Sequence, residues 1–254
     1  ETDTPEEDSS LLPINAPLRP GDKQKLYEVT EMIGEGATAQ IYKARTIRSQ
    51  EVALKLFNQE VPQGKIVKEG EITSSVKSTY VVGYKGIGHW EKDRYFLVLD
   101  YIDGESVRDW IDRGERPDLE TFRTVARCLM EAIAAFHLHK DETGTPQPLL
   151  HSDIKPDNIL ITRDRKAVLI DCGIAGEPRT DVFQGTSPYI PPDCIRGADM
   201  LFSADGDLFA LGVTLWEWLL GNRPYEQPVI GETPDYGPET WSRLPDEPRE
   251  WMTQ

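Results

Sequence analysis

The sequence predicts an α+β protein of bilobal architecture: a small antiparallel β-rich lobe carrying one helix, then a larger, mostly helical lobe. Three observations lead there. Residues 26–101 are mostly short runs rich in β-branched and aromatic side chains, separated by turn residues. Beyond Tyr101 the apolar residues recur at helical spacing instead. Residues 207–220 are then apolar nearly all round, as suits a helix at the centre of a lobe rather than on its surface.

In chain order, strands are expected over 27–33, 40–45, 51–57, 81–87 and 95–101, making a five-stranded antiparallel sheet. Between the third and fourth, residues 64–77 read as a helix with Ile66, Ile72 and Val76 on its apolar side, although Gly70 weakens it. Leu119, Phe122, Val125, Leu129, Ile133 and Phe136 then mark a buried amphipathic helix. Two short strands, 158–162 and 167–171, flank a turn at 163–166, and the apolar helix over 207–220 follows. The organisation is an acidic flexible segment over 1–24, the β-rich lobe over 25–101 with a connection at 99–103, the helical lobe over 104–225, and an acidic Pro-rich segment over 226–254.

The charge supports that division. The 254 residues include 44 acids and 28 bases, a formal net charge of −16. Residues 1–10 hold five acids and no base, and residues 226–254 hold seven acids and two bases, so the flanks supply most of the excess. Such a balance disfavours nucleic acid as a partner, because displacing its counterions needs a basic face. The longest apolar run, 208–216, is too short to cross a bilayer, so no membrane partner is expected. Cys128, Cys172 and Cys194 lack metal-site spacing and read as reduced thiols of a cytoplasmic protein. No basic segment followed by an apolar one is visible at the start of the given residues, so no signal peptide is expected among them.

Several segments carry chemistry. Gly34-Glu35-Gly36-Ala37-Thr38-Ala39-Gln40-Ile41 lies between two predicted strands, where glycines let backbone amides approach a polyphosphate. Alone, it fits a plain β-turn equally well, and the strand that follows excludes a dinucleotide fingerprint. On the strand over 51–57, alternation puts Ala53 and Lys55 on one face, although a lone strand lysine is usually a solvated charge. Residues 151–158 are more specific: Asp153, Lys155 and Asn158 put a carboxylate, an ammonium and a carboxamide in one loop. Thirteen residues after Asn158 comes Asp171. A hard cation such as Mg2+ takes oxygen ligands, which Asn158 and Asp171 can supply. Asp153 then remains to orient or deprotonate an attacking hydroxyl.

Together with segments 185–193 and 207–212, these motifs stand in the order found in protein kinases. Over residues 25–225 the chain resembles a eukaryotic-like Ser/Thr protein kinase catalytic domain. The resemblance implies that Gly34 and Gly36 form the Gly-rich loop and that Ile41, Ala53 and Leu160 contact the nucleotide. It implies that Lys55 holds the α- and β-phosphates and pairs with Glu69, Glu71 being the fallback, and that backbone groups of Asp100 and Ile102 read adenine. Asp153 matches the catalytic base, Lys155 a phosphate-contacting lysine, and Asn158 and Asp171 the metal ligands. The implied cofactors are ATP and Mg2+, with Mn2+ as an alternative metal, and the implied partner is a protein substrate with a Ser/Thr acceptor. Lys155 and Thr186 resemble the serine/threonine rather than the tyrosine subtype.

The chain also departs from that pattern. Ser152 stands where the family has an arginine that receives a phosphorylated activation-loop residue, and the loop from Asp171 to Asp193 is short. An enzyme independent of loop phosphorylation is expected. Cys172 replaces a phenylalanine and reads as an inert buried thiol, and Thr73 replaces a packing residue. Asp193 should pair with an arginine from a later helix, so either the C-lobe is truncated or Arg243 or Arg249 stands in. With the extra residues 140–147, these features resemble kinase modules of larger bacterial proteins, whose other domains are expected partners. Two further readings stay open. One is a catalytically silent nucleotide-binding or scaffold module, suggested by Ala39 and Cys172. The other is a small-molecule kinase, which segment 185–193 disfavours.

Overall fold

The computed structural model describes residues 21, 23–24, 26–90, 94–172, 180–182, 188–191, 195–196 and 199–224. The expectations for segments 1–20 and 226–254, and for Thr186, Asp193, Cys194, Arg243 and Arg249, lie outside these residues. The chain divides into two compact units, one holding residues up to Gly70 with Tyr84–Tyr101, the other Glu71–Gly83 and the residues from Ile102 onward.

The first unit is built on a six-stranded antiparallel sheet. Its strands are β1 (Lys23–Gln24), β2 (Tyr27–Glu35), β3 (Ala39–Thr46), β4 (Glu51–Phe57), β5 (Tyr84–Trp90) and β6 (Arg94–Asp100), in the order β1-β2-β3-β4-β6-β5. The sheet has one strand more than expected: Lys23 and Gln24, placed by composition in a flexible segment, pair with Glu28 and Tyr27. Alternation along β4 sends Val52, Leu54 and Leu56 into a core with Val29, Tyr42, Trp90, Phe96 and Val98. On the other face Phe57 and Leu97 pack with Ala39 and with Ile66 of helix α1 (Gln63–Ser75). Ala53 and Lys55 therefore share the face against which Ile66 packs. A Cβ at Gly70 would lie 3.2 Å from Tyr84 and 3.3 Å from Leu97, so glycine here lets α1 lie close to the sheet.

The second unit begins its regular structure with β7 (Gly104–Ser106) and α2 (Val107–Asp112). The start of α2 carries a signal that sequence reading passed over. Ser106 Oγ accepts from Asp109 N while Asp109 Oδ2 accepts from Ser106 N, a reciprocal capping box. Helix α3 (Leu119–His137) buries Val125, Cys128, Leu129, Ala132, Ile133 and Phe136. These pack against β8 (Ile159–Thr162), β9 (Ala167–Leu169) and α4 (Ala204–Leu220). Sheet β7-β8-β9 is antiparallel, and β10 (Thr180–Val182), β11 (Ile195–Arg196) and β12 (Asp199–Leu201) form a second small sheet.

Three expectations shift. The strand expected from Val81 starts only at Tyr84, because Val82 N donates to Leu169 O and Leu169 N to Tyr80 O, committing residues 80–82 to β9. Asn158 ends a 3-10 turn, Pro156–Asn158, rather than opening a strand, since proline fixes the first position of that turn. Helix α4 begins at Ala204, capped by Ser203, and it is not enclosed all round: Leu208 is 42% exposed. Among the described residues no helix is long and apolar enough to cross a membrane.

Candidate active site

In the first unit the predicted residues gather around one register row. Gly34 pairs with Ile41, Ile41 with Lys55, and Lys55 with Leu97. Lys55 is buried, and its Nζ lies 2.7 Å from Oε1 of the equally buried Glu69. Helix spacing explains the choice of partner: Glu69 stands three residues after Ile66, on the side of α1 that meets the sheet, whereas Glu71 is exposed. A buried ammonium fixed beside a carboxylate is a cation of defined position, as binding an anion requires. Ala53 is buried on the same face as Lys55. Asp100 ends β6 opposite Val52, and its side chain forms an exposed ion pair with Lys85.

In the second unit Asp153, Lys155 and Asn158 converge. Asp153 Oδ2 lies 2.7 Å from Lys155 Nζ and accepts from Asn158 Nδ2 at 2.9 Å. Asn158 Nδ2 also donates to Asp153 O at 2.8 Å. Both amide hydrogens are therefore committed to Asp153, which leaves Asn158 Oδ1 as the atom able to face a cation. Ile170 N donates to Asn158 O at 2.9 Å, so Asp171 follows directly on a residue bonded to Asn158. Leu160 points away from the Ile159 and Ile161 core positions and is partly exposed.

Two residues to which the sequence attached no role, His151 within the segment and Asp207 far from it, hold this loop. His151 is fully buried, and burial pushes its imidazole below the ordinary range, so the ring is neutral. Its Nε2–H donates to Ile170 O at 3.1 Å, and Nδ1 accepts from Asp153 N at 3.3 Å. Asp207 of α4, 2% exposed, accepts from His151 N at 2.9 Å and Ser152 N at 2.8 Å, and bonds His137 Nε2 at 2.9 Å. These bonds span Ser152, which sits at φ +66°, a left-handed conformation uncommon outside glycine. Asp171 sits at φ +62°. Asp207 opens the 207–212 segment already singled out in the sequence, but nothing in that segment names its partner.

A second polar cluster lies in the same unit. Arg108 of α2 donates to Glu217 Oε1 at 3.0 Å and to the Tyr189 hydroxyl at 2.8 Å, and that hydroxyl donates to Glu217 Oε2 at 2.6 Å. Burial and the Glu217 carboxylate push the Tyr189 hydroxyl well above its ordinary range. Asp157 lies 3.5 Å from Arg108 Nε. The cluster thus ties the described part of segment 185–193 to α2, α4 and the 3-10 turn. Cys172 and Thr73 are both buried.

Residues 27–234 match the model of the protein kinase domain family. The chain is 31% identical over 217 residues to serine/threonine-protein kinase A of Synechocystis, covering 78% of this chain and 41% of that protein. It is 28% identical over 210 residues to the MAP kinase kinase MKK1/SSP32 of Saccharomyces cerevisiae, covering 78% and 39%. Against serine/threonine-protein kinase PrkC of Bacillus subtilis the identity is 27% over 212 residues, covering 79% and 31%. The chain spans about two fifths or less of the length of these relatives.

Proposed function

Because the chain belongs to the protein kinase domain family, we propose that it transfers the γ-phosphate of ATP, with Mg2+, to Ser or Thr hydroxyls of protein substrates. Serine/threonine kinases among its relatives, including bacterial ones, support that acceptor. The observation that carries the reading is the Asp153–Lys155–Asn158 convergence. Asp153 Oδ2 is spent on the lysine and the amide, so Oδ1 is the oxygen left to align an acceptor hydroxyl and take its proton.

The donor set suits the cofactors. Asn158 Oδ1 and the Asp171 carboxylate are hard oxygen ligands of the kind Mg2+ takes. Bound Mg2+ would offset charge on the phosphates. Lys55, oriented by Glu69, would hold phosphate oxygens, with Gly34 and Gly36 bringing backbone amides close and Ile41, Ala53 and Leu160 lining the base. Lys155 would stabilise charge on the transferring group while restraining Asp153. Backbone groups of Asp100 and Ile102 would read adenine.

Freedom from loop phosphorylation belongs to the same proposal. Ser152 offers no cation to a phosphorylated residue, and its backbone is instead held by Asp207. A reducing, cytoplasmic setting belongs to the same proposal, because three sparse cysteines without metal-site spacing suit reduced thiols.

One experiment tests the reading: labelled-ATP transfer to protein acceptors, with phosphosite mapping. The wild-type chain and Thr180→Ala should both label Ser and Thr in a Mg2+-dependent way. Asp153→Asn should lose transfer by at least ~100-fold while binding ADP as tightly as wild type. Equal turnover in Asp153→Asn would remove the base assignment, and a dead Thr180→Ala would remove loop independence.

A further inference from the structure

The Gly-rich turn is fastened to the sheet by a residue outside its motif. Between β2 and β3 the chain turns at Gly36–Thr38, closed by Gly36 N donating to Ala39 O at 2.9 Å. Both carbonyls that follow are taken by Asn58, just past the end of β4. Its Nδ2 donates to Ala37 O at 3.1 Å, and its backbone N donates to Thr38 O at 2.9 Å. A trans peptide sets its C=O and N–H in opposite directions. With the oxygens of residues 37 and 38 drawn to Asn58, the amides of Thr38 and Ala39 point away from it. Thr38 is exposed, and its N–H makes no hydrogen bond among the described residues.

Asn58 itself stands on a buried polar base. Its carbonyl accepts from Val61 N at 3.1 Å. The carbonyl before it, Phe57 O, accepts from Arg94 Nε at 3.2 Å, and Arg94 also donates to Gln40 Oε1 at 3.1 Å. Tyr42 donates its hydroxyl to the same Gln40 oxygen at 3.0 Å. Arg94, Gln40 and Tyr42 are all buried. The turn therefore hangs from a clamp at Asn58, three residues after Lys55, on a foundation of Gln40 and Tyr42 in β3 and Arg94 in β6.

We propose that Asn58 is a positioning residue for the nucleotide: it holds the turn so that amide donors of residues 38–39 are presented to a polyphosphate. This rests on the nucleotide role proposed for Gly34 and Gly36. The clamp acts on ATP affinity, while the acceptor side of the reaction lies in the other unit and is untouched.

The test is calorimetric binding of ADP and of a non-hydrolysable ATP analogue, with steady-state transfer alongside. Asn58→Ala removes one hydrogen bond, so both dissociation constants should rise about five- to tenfold. KM for ATP should rise in step, with KM for the protein acceptor and kcat at saturating ATP within about twofold of wild type. Asn58→Asp sets an oxygen against Ala37 O and should weaken binding further. Unchanged nucleotide affinity in both variants overturns the proposal, as does an equal loss in acceptor KM or kcat, which would mark general damage. A wild-type chain that binds no nucleotide would instead overturn the ATP reading beneath it.

Discussion

Replacing Asp207 by Asn keeps the size and one acceptor oxygen but turns the other oxygen into a donor. In the native chain the two oxygens accept from the backbone amides of His151 and Ser152, with His137 Nε2 sharing one of them. Whichever way the new amide is oriented, its NH2 faces one of those N–H groups. Leaving one buried donor unsatisfied costs about 1–3 kcal/mol, and the bond that survives loses the roughly twofold advantage of a charged acceptor. Together these give a destabilisation of about 2–4 kcal/mol, or ~5–15 °C in melting temperature for a chain of this size. Urea unfolding followed by tryptophan fluorescence should show the midpoint falling with little change in slope. Transfer activity should fall more steeply than stability alone explains, because the anchored backbone leads straight into Asp153. A variant as stable as wild type would refute the reasoning, since it would mean the two amides find other partners.

Two further substitutions probe other links. His151 is held below its ordinary pKa by burial, so the unfolded chain takes up a proton first as pH falls. The stabilisation is full above about pH 6.5 and is lost as pH falls toward the depressed folded value. Wild type should therefore lose more melting temperature between pH 7.5 and 5.5 than His151→Gln, and parallel profiles would count against a neutral buried ring. At Gly104 an added Cβ would sit 2.5 Å from Ile161 O, across the β7–β8 pairing, where backbone cannot step aside. Gly104→Ala should cost about 1–3 kcal/mol in chemical unfolding, whereas Gly86→Ala, with nothing within 4 Å, serves as the tolerated control.

Legibility in the sequence followed how local each interaction is. Asp153, Lys155 and Asn158 could be read together because their hydrogen bonds close within five residues. The choice of Glu69 over Glu71 came from the kinase resemblance, and the structure gives the physical reason: Ile66, three residues before Glu69, marks the face of α1 that meets the sheet. The 81–87 strand slipped for the opposite reason. Val81 and Val82 suit any strand, and only the distant Leu169 decides that they pair with β9 rather than β6. Segment 207–212 was legible as a motif, but the part Asp207 plays was not, since an acid in the first turn of a helix is favoured by the macrodipole anyway. Its hold on the 151–158 loop depends on a contact 56 residues away. Asn58 and Arg108 were invisible for the same reason: each acts on a segment that no periodicity links to it.

The segment from His151 to Asp171 combines two uncommon backbone conformations with one shared support. Ser152 at φ +66° and Asp171 at φ +62° are left-handed without being glycine, each at a cost of about 1–2 kcal/mol. Such residues persist only where neighbours over-determine them. Around Ser152 the fixing bonds are the amides of residues 151 and 152 on Asp207; beside Asp171 they are Ile170 N on Asn158 O and the His151 ring on Ile170 O. His151 belongs to both sets, its backbone on Asp207 and its imidazole on Ile170. Only a neutral ring can do this, because Nδ1 must accept from Asp153 N while Nε2 donates. Burial secures that neutrality by penalising the charged form. The motif residues His151, Asn158 and Asp207 thus specify the backbone on which Asp153 and Asp171 are mounted. The spacing of the motif reflects that backbone geometry as much as the side chains proposed to react.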